Sequence, residues 1–241
     1  MMIMKGIDVS KHQGNINWDA VTTDFAIIRA GYGIVISQKD PMFETNYKAC
    51  KERGIPVGAY WYSYASTEVA AKLEAEVCLE VLKGKQFEMP IYYDIEEKGS
   101  LRAANKIAKV FCETLEKAGY FVGIYASASP LKTYFSEEIR KRYAIWVAHY
   151  GVAKPNYSGN YGMWQYSSAG KVNGIYGNVD MDFCYEDYPS IIKNACLNGF
   201  KKTHTVAVGD TLSAIAKRYG ITVDELAEKN KLIHEGQKLI V

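Results

Sequence analysis

Eight short apolar runs, at 6–9, 25–29, 57–61, 90–95, 122–125, 144–148, 162–166 and 179–183, recur through the first 185 residues, several of them separated by helix-like stretches. No other feature constrains the fold as much. Most of the runs are apolar nearly throughout rather than alternating, which is the signature of strands covered on both faces in a parallel sheet. The cover comes from helical segments predicted at 46–53, 67–82, 101–118 and 130–139. Ser66 followed by Glu68 and Val69 makes a plausible helix entry, and Gly119 a helix stop. Eight parallel strands is the number that closes a (β/α) barrel. Helices become fewer and shorter in the second half, so the expected α/β fold is an incomplete TIM-like (β/α) barrel with degraded late helices.

The chain has 241 residues, enough for one such barrel and something small. From about Pro189 the pattern changes, and 194–202 reads as an exit from the barrel. A second unit begins near His204: a strand at 205–208, a turn at Gly209-Asp210, and a helix at 211–219 capped by Thr211 or Asp210 and stopped by Gly220. A second helix then runs from Thr222 or Val223 to Lys229, and 237–241 closes as a strand. The expected division is a barrel at 1–192, a linker at 193–202 and a β-α-α-β unit at 203–241. A unit so small has a thin core and suits binding rather than chemistry.

Composition removes several function classes. Lys and Arg number 29 against 27 Asp and Glu, and no basic run exceeds Arg140-Lys141-Arg142, so no nucleic-acid partner is expected. No apolar stretch nears the roughly 18 residues of a membrane span, and none is expected to insert. The first ten residues lack the apolar core and cleavage site of a secretory signal. Five cysteines without close spacing, Cys78 and Cys112 inside predicted helices, read as buried thiols of a chain made in a reducing cytoplasm. A monomer is expected. The 19 tyrosines, against 8 Phe and 4 Trp, supply ring faces and hydroxyls suited to a groove that holds sugars or peptides.

Active sites of barrels sit at the carboxyl ends of the strands. There the chain places Asp8, Asp94, Glu96, Asp180 and Asp182. Asp94 and Glu96, two apart on a strand, share a face, and two acids held close push at least one pKa upward toward the range of a general acid. Paired carboxylates in a cleft admit a metal site, an aspartic dyad or glycoside hydrolysis. His12, His149, His204 and His234 have no zinc-ligand spacing, and neither a phosphate-cradling Gly-rich loop nor a Gly-x-Ser-x-Gly elbow is present, so no metal and no cofactor are expected. Tyr32, Tyr60, Trp61, Tyr62, Tyr64, Tyr93, Tyr125, Trp146, Trp164 and Tyr166 lie near the same strand ends. About half of them should be core, because strand residues alternate faces.

Gly6-Ile7-Asp8-Val9-Ser10 with Gln13-Gly14, Asp94-Ile95-Glu96, Trp146-Val147-Ala148-His149-Tyr150, Trp164-Gln165-Tyr166-Ser167 and Gly177-Asn178-Val179-Asp180 together resemble the glycoside hydrolase family 25 muramidases, the Chalaropsis-type lysozymes of phage endolysins and bacterial autolysins. The resemblance covers residues 3 to about 188. It implies cleavage of the β-1,4 bond between N-acetylmuramic acid and N-acetylglucosamine in bacterial peptidoglycan, with Glu96 protonating the leaving oxygen. Asp94 would orient the 2-acetamido group or stabilise the anomeric cation, and Asp8 and Asp180 would hold substrate or tune the pair. Gln165 joins the aromatics as a substrate-binding candidate. Several members place Asn at position 182, which leaves Asp182 open between substrate binding and packing, and relatives often carry His where this chain has Trp61. The second unit resembles a LysM module through His204-Thr205-Val206, Gly209-Asp210-Thr211-Leu212, Tyr219-Gly220, Asn230 and Gly236-Gln237-Lys238-Leu239, implying an affinity for N-acetylglucosamine-containing glycans. Retention of configuration and action at the bacterial cell wall are expected. The competing readings are a non-catalytic peptidoglycan-binding protein and a hydrolase of another N-acetylglucosamine polymer such as chitin.

Overall fold

The computed structural model describes residues 3–230 and 236–241, so His234 and the segment just after Asn230 lie outside the described residues. Strands β1 (Met4–Val9), β2 (Phe25–Tyr32), β3 (Val57–Tyr62), β4 (Ile91–Asp94), β5 (Val122–Ser127), β6 (Ala144–Ala148) and β7 (Met163–Gly170) pair in sequence order, all parallel. The last strand, β8 (Val179–Cys184), is antiparallel to both β7 and β1, and the ring is a closed eight-stranded barrel. An incomplete barrel, as expected from the thinning of helices, is therefore wrong. Closure needs strands and register, not helices. The β7–β8 connection, 171–178, is too short for the dozen or more residues of a parallel crossover, so the chain reverses and fills the gap from the opposite direction.

Helices α1 (Phe43–Glu52), α2 (Glu68–Leu82), α3 (Lys98–Arg102), α4 (Ala104–Lys117), α5 (Ala128–Thr133) and α6 (Glu137–Arg142) occupy the connections between β2 and β6. α2 is capped by Thr67, whose side chain accepts from the amide of Ala70, and it packs against α4 outside the barrel. The core between strands and helices takes the outward set: Ile7, Val9, Ile28, Trp61, Ile91, Tyr93, Ile124, Val147 and Trp164. The inward set fills the lower barrel with Phe25, Ile27, Tyr92, Trp146 and Met163. Such filling requires small residues opposite large ones. A Cβ on Gly6 would sit 2.3 Å from the Phe25 ring, and one on Gly123 would sit 2.4 Å from Tyr92.

Helix α7 (Tyr188–Asn194) starts with its Asp187 cap inside the barrel's share of the chain and ends within the segment expected as a linker. Beyond it, Asn198 is fully buried and holds a left-handed backbone with φ of 54°. Its side chain donates to the Met89 carbonyl at 2.9 Å and accepts from the Phe121 amide at 2.7 Å, tying together the loops that enter β4 and β5. The second unit runs β9 (Thr203–Thr205), α8 (Leu212–Tyr219), α9 (Val223–Lys229) and β10 (Lys238–Ile240), with β10 antiparallel to β9. Thr211 caps α8, Gly220 ends it in a left-handed conformation, and Thr222 with Glu225 forms a reciprocal capping box on α9. Ile215, Ala216, Leu226 and Leu239 make its small core.

Candidate active site

At the carboxyl ends of the strands a cavity of about 210 Å³ opens, lined by Asp8, Arg29, Tyr60, Tyr62, Asp94, Glu96, Tyr125, Trp146, Tyr150, Gln165 and Asp180. Strand alternation builds it. Asp8 of β1, Arg29 of β2, Tyr60 and Tyr62 of β3, Asp94 of β4, Tyr125 of β5, Trp146 of β6 and Gln165 of β7 are the inward residues at the upper end of each strand. Glu96, just past β4, keeps to the face of Asp94 but stands exposed at the rim, whereas Asp94 is buried below it. Asp180 faces Asp8 across the β1–β8 pairing.

Hydrogen bonds fix the floor. The Gln165 Oε1 accepts from the Tyr125 hydroxyl at 2.7 Å and the Tyr150 hydroxyl at 2.5 Å, so its Nε2 faces Asp8 and donates to Oδ2 at 2.6 Å. The Trp146 indole N–H donates to Asp182 Oδ1 at 2.8 Å. Arg29 is held by Asp40 through a 2.7 Å Nε contact, while its Nη2 is buried and has no partner among the described residues. Asp94 Oδ1 is likewise buried and unpartnered there.

This packing raises every carboxyl group of the cluster. Burial is the chief cause at Asp8, which is also opposed by the charges of Asp182 and Asp180 and eased downward by the Gln165 hydrogen bond. Asp94 rises well above the ordinary range through burial and the charge of Glu96, against the pull of Arg29. Glu96 is raised by partial desolvation at the rim and by Asp180 and Glu97. Burial pushes Asp180 up to about 6 and raises Asp182 well above the ordinary aspartate range. A set of neighbouring carboxyls that cannot all ionise keeps protons at pH values where isolated acids have lost them. One accessible acid above buried carboxylates is a layout that can protonate a leaving oxygen while supporting positive charge beneath it.

The sequence signature of the glycosyl hydrolases family 25 matches residues 7–175, and that of the LysM domain matches residues 204–241. The chain belongs to glycosyl hydrolases family 25. Its family-25 domain is 35% identical over 193 residues to the uncharacterised protein YegX of Escherichia coli O157:H7, covering 73% of this chain and 68% of that one. Among solved structures it is similar to the modular autolysin LytC of Streptococcus pneumoniae, determined with a synthetic peptidoglycan ligand, at 33% identity and a TM-score of 0.66. That match covers 76% of this chain and 47% of LytC, so this chain spans about half the length of LytC. A bacterial lysozyme of Streptomyces coelicolor is 26% identical with a TM-score of 0.67, covering 80% of this chain and 98% of that chain.

In the barrel, Asp8, Asp94, Glu96, Asp180, Tyr60, Tyr62, Tyr125, Trp146 and Gln165 come together around one cavity. Tyr32 and Tyr64 stand beside it, with Lys11 and His12, in an adjoining depression that shares Arg29 and Tyr62. Trp61 and Trp164 do not reach the cavity. Both point outward from the barrel, where the Trp61 indole donates to the Gly33 carbonyl at 3.2 Å and Trp164 to the His149 carbonyl at 2.9 Å. Alternation decides this, since Tyr60 and Tyr62 take the inward face of β3 and leave Trp61 the other. Asp182 is buried beneath the cavity rather than on its wall, as the hydrogen-bond partner of Trp146. Tyr93 and Tyr166 pack against Phe111 and Phe183. Two lining residues were missed from sequence. Arg29 reads as the end of an apolar run, although its place two residues after Ile27 puts it on the inward face, and Tyr150 lies past the end of β6.

Proposed function

We propose that this chain is an N-acetylmuramidase that hydrolyses the β-1,4 bond between N-acetylmuramic acid and N-acetylglucosamine in bacterial peptidoglycan. The observation that carries this reading is the stacked pair on one face of β4, an exposed Glu96 over a buried Asp94, at the mouth of a polar, tyrosine-lined cavity. The described LytC structure, with its synthetic peptidoglycan ligand, and the Streptomyces coelicolor lysozyme support it.

In this mechanism a protonated Glu96 donates to the glycosidic oxygen as the bond breaks. Positive charge then grows on the sugar ring, and the 2-acetamido carbonyl oxygen of the same sugar closes on the anomeric carbon. Asp94, which lines the cavity, accepts from the acetamido N–H, which orients the group and supports the cationic intermediate. Glu96, now ionised, takes a proton from the incoming water, so configuration is retained. Asp8, held by Gln165, and Asp180 line the opposite side of the cavity, where their protonation is coupled to that of the pair. The LysM domain holds the protein on N-acetylglucosamine-containing glycan, and the enzyme acts as a monomer at the cell wall. No helix among the described residues is long and apolar enough to cross a membrane.

Digestion of purified peptidoglycan followed by borohydride reduction and mass analysis tests the reading. The expected products end in reduced N-acetylmuramic acid, with no release from chitin. Ends in reduced N-acetylglucosamine, or equal release from chitin, would assign a different bond.

A further inference from the structure

Beside the carboxylate-lined cavity lies a second depression of about 360 Å³ whose charge is of the opposite sign. Lys11 and His12 project from the single turn that follows β1, a turn locked by the reciprocal Ser10–Gln13 caps and by the Lys11 amide on Asp40. Both residues are exposed, and neither the Lys11 ammonium nor the His12 ring has an ion-pair or hydrogen-bond partner among the described residues. The floor is Arg29, with its buried and unpartnered Nη2, and the wall is the cluster of Tyr32, Tyr62 and Tyr64, whose rings meet at 6.0 Å (Tyr32–Tyr64) and 5.2 Å (Tyr62–Tyr64). The depression shares Arg29 and Tyr62 with the catalytic cavity, so one extended ligand can occupy both.

We propose that this depression is a subsite for the carboxylate carried on the lactyl substituent of the muramic acid residue, the tyrosines packing on the chain that bears it. The proposal rests on the muramidase reading and deepens it. A β-linked N-acetylglucosamine polymer has no anionic group, whereas the muramyl ether carries a carboxylate, either its own lactyl group or those of the attached peptide. Lys11 supplies a free cation, and Arg29, whose charge Asp40 balances, closes the floor beneath it. The two pockets thus sort one substrate by charge: the reacting sugar bond over carboxyls, the acidic side arm beside the lysine. Discrimination against neutral glycans then comes from the side arm, with the chemistry at the bond unaltered.

The test uses the full chain and three soluble glycans of equal length: peptide-bearing, peptide-stripped with free lactyl carboxylates, and stripped with those carboxylates converted to methylamides. The double variant Lys11→Gln/His12→Gln should raise KM about tenfold on the carboxylate-bearing substrates with kcat nearly unchanged, and leave the methylamide substrate unaffected. A rise confined to the peptide-bearing glycan assigns the subsite to peptide carboxylates, and a rise on the stripped glycan assigns it to the lactyl group. Equal KM changes on all three glycans, or none on any, would overturn the proposal. Failure of the unmutated enzyme to cut any of these glycans would instead overturn the muramidase reading, which separates the two. Charge attraction also predicts that added salt raises KM on the carboxylate-bearing glycans and not on the methylamide.

Discussion

Glu96 and Asp94 are chemically near-equal groups that the strand end sorts into different work, one at the rim and one below it. Replacing Glu96 with Gln keeps the shape and removes the proton, so turnover should fall by roughly 10²–10⁴ with the circular dichroism spectrum and glycan binding unchanged. A loss of less than about tenfold would remove Glu96 from the acid role. The raised Glu96 also sets the sign of the pH response. An acid must be protonated to act, so an upward shift carries activity to higher pH, and the alkaline limb should lie above the ordinary glutamate range. Because the charge of Asp180 contributes to that shift, Asp180→Asn should move the alkaline limb of any residual activity downward; an unmoved limb would leave burial and Glu97 as the causes. Asp182 carries a different consequence. Its folded-state pKa is raised, so between the ordinary aspartate value of about 3.9 and its folded value the folded chain must keep a proton that the unfolded chain has released, and stability falls as pH rises through that window. Asp182→Asn, which can still accept from Trp146, should raise Tm by a few degrees at pH 7 and hardly at all near pH 3. Equal gains at both pH values would show that the side chain, not its titration, is at issue. The carboxylates of the site were legible because acids are rare in apolar strands, and each stands out at a strand end. Arg29 was not, because what gives it meaning is Asp40, a loop residue eleven positions on that only the fold brings to it.

Strands were legible from their continuous apolar runs, and the two-residue spacing of Asp94 and Glu96 carried over directly to a shared face. Closure was not, because the number and spacing of helices say nothing about the direction of a last strand; the short loop at 171–178 does, once its length is compared with what a crossover needs. The lower end of the barrel shows the same dependence on single elements. Asn198 supplies one acceptor and one donor to backbone groups that no strand satisfies, and its left-handed φ suits asparagine better than most residues. Asn198→Ala strips both bonds from buried partners and should destabilise the barrel by about 2–4 kcal/mol, read as a lower urea midpoint with an unchanged slope. The boundary of the barrel follows. A chain ending at 192 lacks Asn198 and should unfold at markedly lower urea than one ending at 202, and identical midpoints would show that the 193–202 segment is only a connection.

At the scale of the whole molecule, the proposed function puts two sites on one insoluble polymer. The LysM domain has only four buried apolar residues among those described, and on this reading its contribution is attachment, while bond cleavage belongs to the barrel. Attachment changes where the barrel spends its time. Once the small domain is on a glycan strand, the next cleavage is an encounter at an effective concentration set by the tether, with no change in the chemical step. Removing 203–241 while keeping 193–202, and with it Asn198, should therefore leave kcat and KM on short soluble glycans within about twofold. Clearance of intact peptidoglycan at low enzyme concentration should slow by roughly ten- to a hundredfold, and the deficit should shrink as enzyme is added, because mass action replaces the lost tether. The two rates, measured side by side with sedimentation binding to the same insoluble wall, separate anchoring from any effect on catalysis. Equal sedimentation of the whole and shortened chains would remove the anchoring role. A fall in soluble-glycan turnover would show instead that the small domain supports the barrel's active conformation.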